Sequence, residues 1–172
     1  MIHMLVGVQG SGKSSYAQEM SEKENIEIVS TDAIRKKYKG IEEYKVWDMV
    51  YKRMAEIEKE GNDCIFDATS ITKNVRKRFF DNMKMFGVNP KCDCIFFDTD
   101  IDICEKRIIE RNKDENQLFL PPEVIYSYKE RLEIPSTDEG FEKITVIKNY
   151  TKKWKLRPWW AHFSLHLDRN MV

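Results

Sequence analysis

Residues 7–15 read GVQGSGKSS, and the spacing of Gly7, Gly12, Lys13 and Ser14 fits G-x-x-x-x-G-K-[ST]. Each residue type in that pattern answers a need of phosphate chemistry. Glycines let the backbone curl until successive N–H groups point inward at phosphate oxygens. An ammonium at position 13 reaches the β- and γ-phosphates of ATP, and a hydroxyl at position 14 suits Mg²⁺. A helix starting near Lys13 adds the positive end of its dipole. The expected nucleotide contacts are Gly7, Gln9, Gly10, Ser11, Gly12, Lys13, Ser14 and Ser15. A plain Gly/Ser turn between a strand and a helix is the structural alternative.

Two carboxylates and an arginine follow. Asp32 and Arg35 stand three apart in STDAIR, which puts them on one face of a helix. There Asp32 faces the γ-phosphate and takes the hydrogen bond of an acceptor hydroxyl, while Arg35 holds a neighbouring phosphate. The competing reading is a helix N-cap at Asp32 and an exposed Arg35. Asp67, in FDATS, stands where a carboxylate reaches Mg²⁺ or its waters. Its competing reading is a strand-end cap.

These residues must be positioned by an alternation of strands and helices. Strands are expected at residues 2–8, 26–30, 63–69, 91–99 and 142–149. Helices are expected at 13–22, from Thr31 or Asp32 as cap, at 43–60, 72–86, 101–112 and 121–133. Trp47, Val50, Met54 and Ile57 share a face of the long one. The pattern predicts an α/β fold: a three-layer α/β/α sandwich on a parallel sheet of about five strands, with a small helical lid. The candidate carboxylates then sit at strand carboxyl ends, where such sheets bind ligands. Residues 1–149 read as one domain, and 150–172 as a Trp/Lys-rich tail, packed on it or leading to a further domain.

Composition narrows the field. The 172 residues are 41% hydrophobic and 34% charged, with 29 basic and 29 acidic side chains and no net charge. A general nucleic-acid-coating protein is usually basic overall, so only a local patch fits here. No apolar run approaches the roughly 20 residues of a membrane helix. The first strand begins at the N-terminus, so no signal peptide is expected and the expected location is cytoplasmic. Cys64, Cys92, Cys94 and Cys104 read as core residues rather than disulfides or metal ligands. GTPase patterns are missing: DATS stands where Asp-x-x-Gly belongs, and RNKDE is not Asn-Lys-x-Asp. The length is also short for a large remodelling ATPase.

GVQGSGKSS, STDAIR, DATSITKNVRKR, ICEKRIIERN and PPEVI occur in the order seen in polynucleotide 5′-kinase domains. Over about residues 1–149 the chain resembles that family, which is related to zeta-toxin-like and chloramphenicol-phosphotransferase-like P-loop kinases. The resemblance implies an ATP- and Mg²⁺-dependent kinase acting on a 5′-hydroxyl nucleic-acid end. It implies that Lys13 and Ser14 hold ATP and Mg²⁺, and that Asp32 is the general base. Arg35 then binds the acceptor's 3′-phosphate, and Asp67 and Thr69 help form the acceptor site. The family's lid arginine is replaced by Glu115, so Arg107 or Arg111, a turn apart, is expected to supply that charge. A small-molecule kinase, for a nucleoside, sugar or antibiotic, is the alternative, and a low-turnover NTP-binding module is a third. The sequence is silent on oligomeric state.

Two further features have both functional and plain readings. Lys73, Arg76, Lys77 and Lys84 follow the third strand and could guide an acidic strand, with Arg76 as a substrate contact. Alternatively they form a solvated helix face. In the tail, Trp154, Trp159 and Trp160 alternate with Lys152, Lys153, Lys155 and Arg157, which suits base stacking or packing on the domain. His162 and His166 stand four apart, followed by Asp168, a spacing that can bind a metal on a helix, but no third ligand is evident.

Overall fold

The computed structural model describes residues 1–114, 117 and 119–151. Twelve elements follow in chain order. They are β1 (Ile2–Val6), α1 (Lys13–Glu24), β2 (Glu27–Ser30), α2 (Thr31–Lys37), α3 (Glu43–Lys59) and β3 (Cys64–Asp67). After these come α4 (Lys73–Met85), β4 (Cys92–Asp98), α5 (Ile101–Arg111), α6 (Val124–Glu130), a 3₁₀ turn (Thr137–Glu139) and β5 (Lys143–Lys148). All strand pairs are parallel, in the order β2-β3-β1-β4-β5.

The three central strands, β1, β3 and β4, are mostly apolar because both of their faces are covered, whereas the edge strand β5, KITVIK, leaves Val146 exposed. Ile2, Met4, Val6, Cys64, Phe66, Cys92, Cys94 and Phe96 point to one side, where α3 and α4 bring Val50, Met54, Phe79 and Met83. Alternate residues Leu5, Ile65, Ile95 and Phe97 point to the other, under Ala17, Tyr16 and Met20 of α1. A third cluster joins Val8 to Cys104, Ile108 and Ile125, so α5 and α6 are seated on the loop after β1. The four cysteines are buried and unbridged, as core packing requires. Among the described residues no helix is long and apolar enough to cross a membrane.

Two expected boundaries shift for local reasons. Pro121 and Pro122 form a turn, with Val124 N–H donating to the Pro121 carbonyl at 3.1 Å, so α6 begins later than expected. The cap of α2 is Ser30, whose hydroxyl accepts from Ala33 N–H, rather than Thr31 or Asp32. That frees the Asp32 carboxylate from a capping duty.

Topology fixes the site. The chain runs from β1 to β2 and β3 on one side, then crosses to β4 and β5 on the other. The order therefore reverses at β1, and the loop after β1 opens at that switch point. The pairing of Ser30 with Asp67 across β2 and β3 brings the segments carrying Asp32 and Asp67 out side by side.

Candidate active site

A cleft of about 630 Å³ lies at the carboxyl ends of the strands. Its floor is the loop from residue 7. Gly10 has φ +77°, and a Cβ there would stand 2.5 Å from the Cys104 carbonyl oxygen of α5. Gly12 caps α1 with φ +104° and offers no side-chain hydrogen bond; no acid lies in the first turn. The first amides of α1 are thus left for an anion. Gly10→Ala is expected to lower stability by about 2–3 kcal/mol through left-handed strain and overpacking. A thermal melt checks this, and an unchanged melting temperature would mean that the loop accommodates the methyl group.

Lys13 is 8% exposed, with Nζ donating to the carbonyls of Gly7 at 2.7 Å and Val8 at 2.8 Å. Burial pushes its pKa down, and the charge of Asp67 opposes that shift. Asp67 is the reciprocal case: burial pushes its carboxyl up, against the pull of Lys13 and a hydrogen bond with Ser14. Ser14 itself is exposed in the cleft. The Ser14 hydroxyl and the Asp67 carboxylate, both lining the cleft, are hard oxygen donors, and they fit Mg²⁺ beside a triphosphate. Gln9 Nε2 donates to Thr69 Oγ1 at 3.2 Å, joining the loop to the β3 exit. Gln9 Oε1 is buried without a partner among the described residues. Ser11 is buried under the loop, where its carbonyl accepts from Thr99 Oγ1 at 3.1 Å, and Ser15 lines the cleft.

On the acceptor side, Asp32 lines the cleft, and Arg35 Nη1 donates to Asp32 Oδ1 at 2.7 Å. Arg35 does not itself line the cleft; it is joined to it through Asp32. A residue that sequence reading missed holds it there. Glu43, at the start of α3, accepts from Arg35 Nε at 3.1 Å and Nη2 at 2.5 Å, and from Trp47 Nε1 at 3.0 Å. Glu43 had one local signal: an acid at a helix start, eight residues from Arg35.

Arg107 and Arg111 both line the cleft. Arg107 is tied down, donating to the Gly10 carbonyl at 3.1 Å and the Tyr150 carbonyl at 2.6 Å. It thereby braces the loop. Tyr150 and Thr151 were also missed as lining residues. The Tyr150 ring packs against Tyr16 and Phe97 and lies against Gly12, while its hydroxyl donates to Glu19 at 2.5 Å. Glu115, the tail tryptophans, His162, His166 and Asp168 lie outside the described residues.

Arg76 is a correction. The expectation of a substrate contact fails because its side chain is fully buried. It pairs with Glu139 at 2.6 Å and 3.0 Å and donates to the Ser70 carbonyl at 3.0 Å. All three contacts fasten α4 to neighbouring chain, and neither Arg76 nor its partners line the cleft. Its neighbours Lys73, Lys77 and Lys84 are exposed, and Lys77 is paired with Asp81 at 2.6 Å.

Comparison with known proteins agrees with this geometry. Residues 2–135 match a family model described as "AAA domain" (AAA_33). The bifunctional polynucleotide phosphatase/kinase of Schizosaccharomyces pombe is 27% identical over 158 residues, covering 89% of this chain. The chain spans about a third, 36%, of that relative's length. Chaetomium thermophilum Kti12, solved in complex with ADP-AlF3, superposes with a TM-score of 0.61 at 12% identity, covering 86% of this chain and 89% of that one. A gluconokinase from Sinorhizobium meliloti 1021 gives a TM-score of 0.59 at 18% identity, covering 87% and 82%. With the phosphate-binding loop, the switch-point cleft and a family match over well more than half of its length, the chain belongs to the AAA_33 family and has the fold of a P-loop kinase.

Proposed function

We propose that the protein transfers the γ-phosphate of ATP to the 5′-hydroxyl end of a polynucleotide, in the cytoplasm. The observation that carries the reading is the Asp32–Arg35 pair, joined at 2.7 Å, with Asp32 in the same cleft as Lys13, Ser14 and Asp67. A nucleotide switch has no use for a carboxylate facing the terminal phosphate. A phosphotransferase needs one to orient the attacking hydroxyl. The polynucleotide kinase relative supports the same acceptor, and the ADP-AlF3 bound by Kti12 supports a nucleotide in the cleft.

In this reading the loop amides and Lys13 hold the triphosphate. Ser14 and Asp67 are the groups that would hold Mg²⁺, which neutralises charge on the phosphates when bound. Asp32 accepts the proton of the 5′-hydroxyl as its oxygen bonds to Pγ and the bond from Pγ to the β-bridging oxygen breaks, releasing ADP. Among the described residues, three of the five N–H groups of Arg35 are engaged by Asp32 and Glu43. Two remain for the phosphate that follows the acceptor nucleoside. Arg107 and Arg111 supply positive charge at the wall of the cleft.

The test is γ-phosphate transfer to 5′-OH DNA, 5′-OH RNA, nucleoside 3′-monophosphates, plain nucleosides and sugars including gluconate. Phosphorylation of nucleotide acceptors is expected. Arg35→Ala is expected to raise KM for an acceptor with an adjacent phosphate by about 10- to 100-fold, the value of a charge-assisted hydrogen bond. KM for ATP and for a plain nucleoside should barely change. Transfer to a sugar in preference to every nucleotide would replace the polynucleotide reading with a small-molecule kinase.

A further inference from the structure

Residues 35–45, RKKYKGIEEYK, carry five basic and two acidic side chains in a chain of zero net charge. Both acids are spent locally: Glu43 on Arg35, and Glu42 on Lys45 at 2.7 Å. Lys36, Lys37 and Lys39 are exposed and make no salt bridge among the described residues. Two aromatic rings stand among them, Tyr38 at 40% exposure and Tyr44 at 64%. Each has an ammonium over its ring: Lys37 Nζ is 5.2 Å from the Tyr38 centroid, and Lys45 Nζ is 5.5 Å from that of Tyr44. The surface is continuous with the acceptor site, because Arg35 bridges Asp32 on α2 to Glu43 on α3.

We propose that this segment is the track along which a single-stranded polynucleotide leaves the acceptor site. Lys36, Lys37 and Lys39 meet its phosphates, and Tyr38 and Tyr44 stack on its bases. The inference rests on the polynucleotide reading above and extends it from one nucleotide to the polymer. Alternation of cation and ring matches the alternation of phosphate and base in a single strand. Net positive charge beginning next to Arg35 matches a strand whose first phosphate lies there. The rings stand singly rather than in a contiguous apolar patch, so the surface does not resemble a protein-docking face. DNA and RNA present the same chemistry to it.

The experiment has a binding arm and a kinetic arm. Fluorescence anisotropy of a labelled single-stranded 12-mer, DNA and RNA separately, compares the parent with Lys36→Gln/Lys37→Gln/Lys39→Gln and with Tyr38→Ala/Tyr44→Ala. The lysine variant is expected to bind at least about tenfold more weakly, with a salt slope shallower by roughly two. The tyrosine variant is expected to lose about tenfold. Kinetically, the ratio of KM for a nucleoside 3′-monophosphate to KM for the 12-mer should fall by a similar factor in both variants. Parent-like 12-mer affinity and an unchanged KM ratio would overturn the track. Equal displacement of the 12-mer by polyglutamate and by unlabelled 12-mer would overturn it too, marking a surface for any acidic partner. Failure of the underlying reading is distinct: the parent would then bind the 12-mer through these residues yet phosphorylate no nucleotide.

Discussion

Asp32→Asn is expected to lower kcat for a 5′-OH oligonucleotide by about 10²- to 10⁴-fold, the range for loss of a general base. The geometry isolates this effect. Ser30, not Asp32, caps α2, so the helix keeps its N-terminus in the variant. Arg35 engages only Oδ1 of Asp32, and the carboxylate is 81% exposed. Oδ2 therefore has no partner among the described residues and is open to an acceptor hydroxyl. Asparagine keeps an oxygen for Arg35 but loses the charge that accepts the proton. Stability should stay within about 0.5 kcal/mol of the parent, as for other exposed substitutions. KM for ATP should hardly move, because the loop amides and Lys13 are untouched. Steady-state kinetics together with a thermal melt measure all three quantities. A kcat within a fewfold of the parent would remove Asp32 from the chemistry and leave it a surface partner of Arg35.

The parts of this site that were legible in the sequence are the parts fixed locally. The loop spacing and the apolar strands both depend on residues a few positions apart. The parallel sheet follows from the alternation of those elements. What the sequence could not carry is register and distant pairing. Nothing local announces that Ser30 stands opposite Asp67. Arg76 sits among lysines in the sequence, which reads as a solvated or substrate-facing surface. Its partner, Glu139, lies 63 positions away and draws it fully inside. Glu43 was hidden for the opposite reason. Its position was clear, but only the folded contact between α2 and α3 shows that it grips Arg35. The basic segment after Asp32 carries no motif of its own, and only the contacts of Arg35 with Asp32 and Glu43 show that it stands beside the site. Local composition marks charge, and folded geometry decides which charge stands beside the site.

Arg76→Met is expected to cost about 3–5 kcal/mol, the penalty for leaving one partner of a buried ion pair alone. Arg76 is fully buried and Glu139 only 8% exposed by side chain, so water cannot replace the lost guanidinium. Methionine fills much of the volume, which separates the charge effect from a cavity. The pH dependence gives a second signature. In the parent, burial pushes the Glu139 carboxyl up, but its bonds with Arg76 and Ser136 outweigh this and hold it below the ordinary glutamate range. The pair therefore stabilises the fold at neutral pH and loses that contribution as pH falls through the depressed value. Without Arg76 burial dominates, and the carboxyl shifts upward. The variant's penalty is then relieved as Glu139 takes up a proton, so the gap in melting temperature should be widest near neutrality and narrow in acid. Turnover per folded molecule should match the parent, because neither Arg76 nor its partners Glu139 and Ser70 line the cleft. Parent-like melting with a raised KM for oligonucleotides would instead return Arg76 to the substrate path.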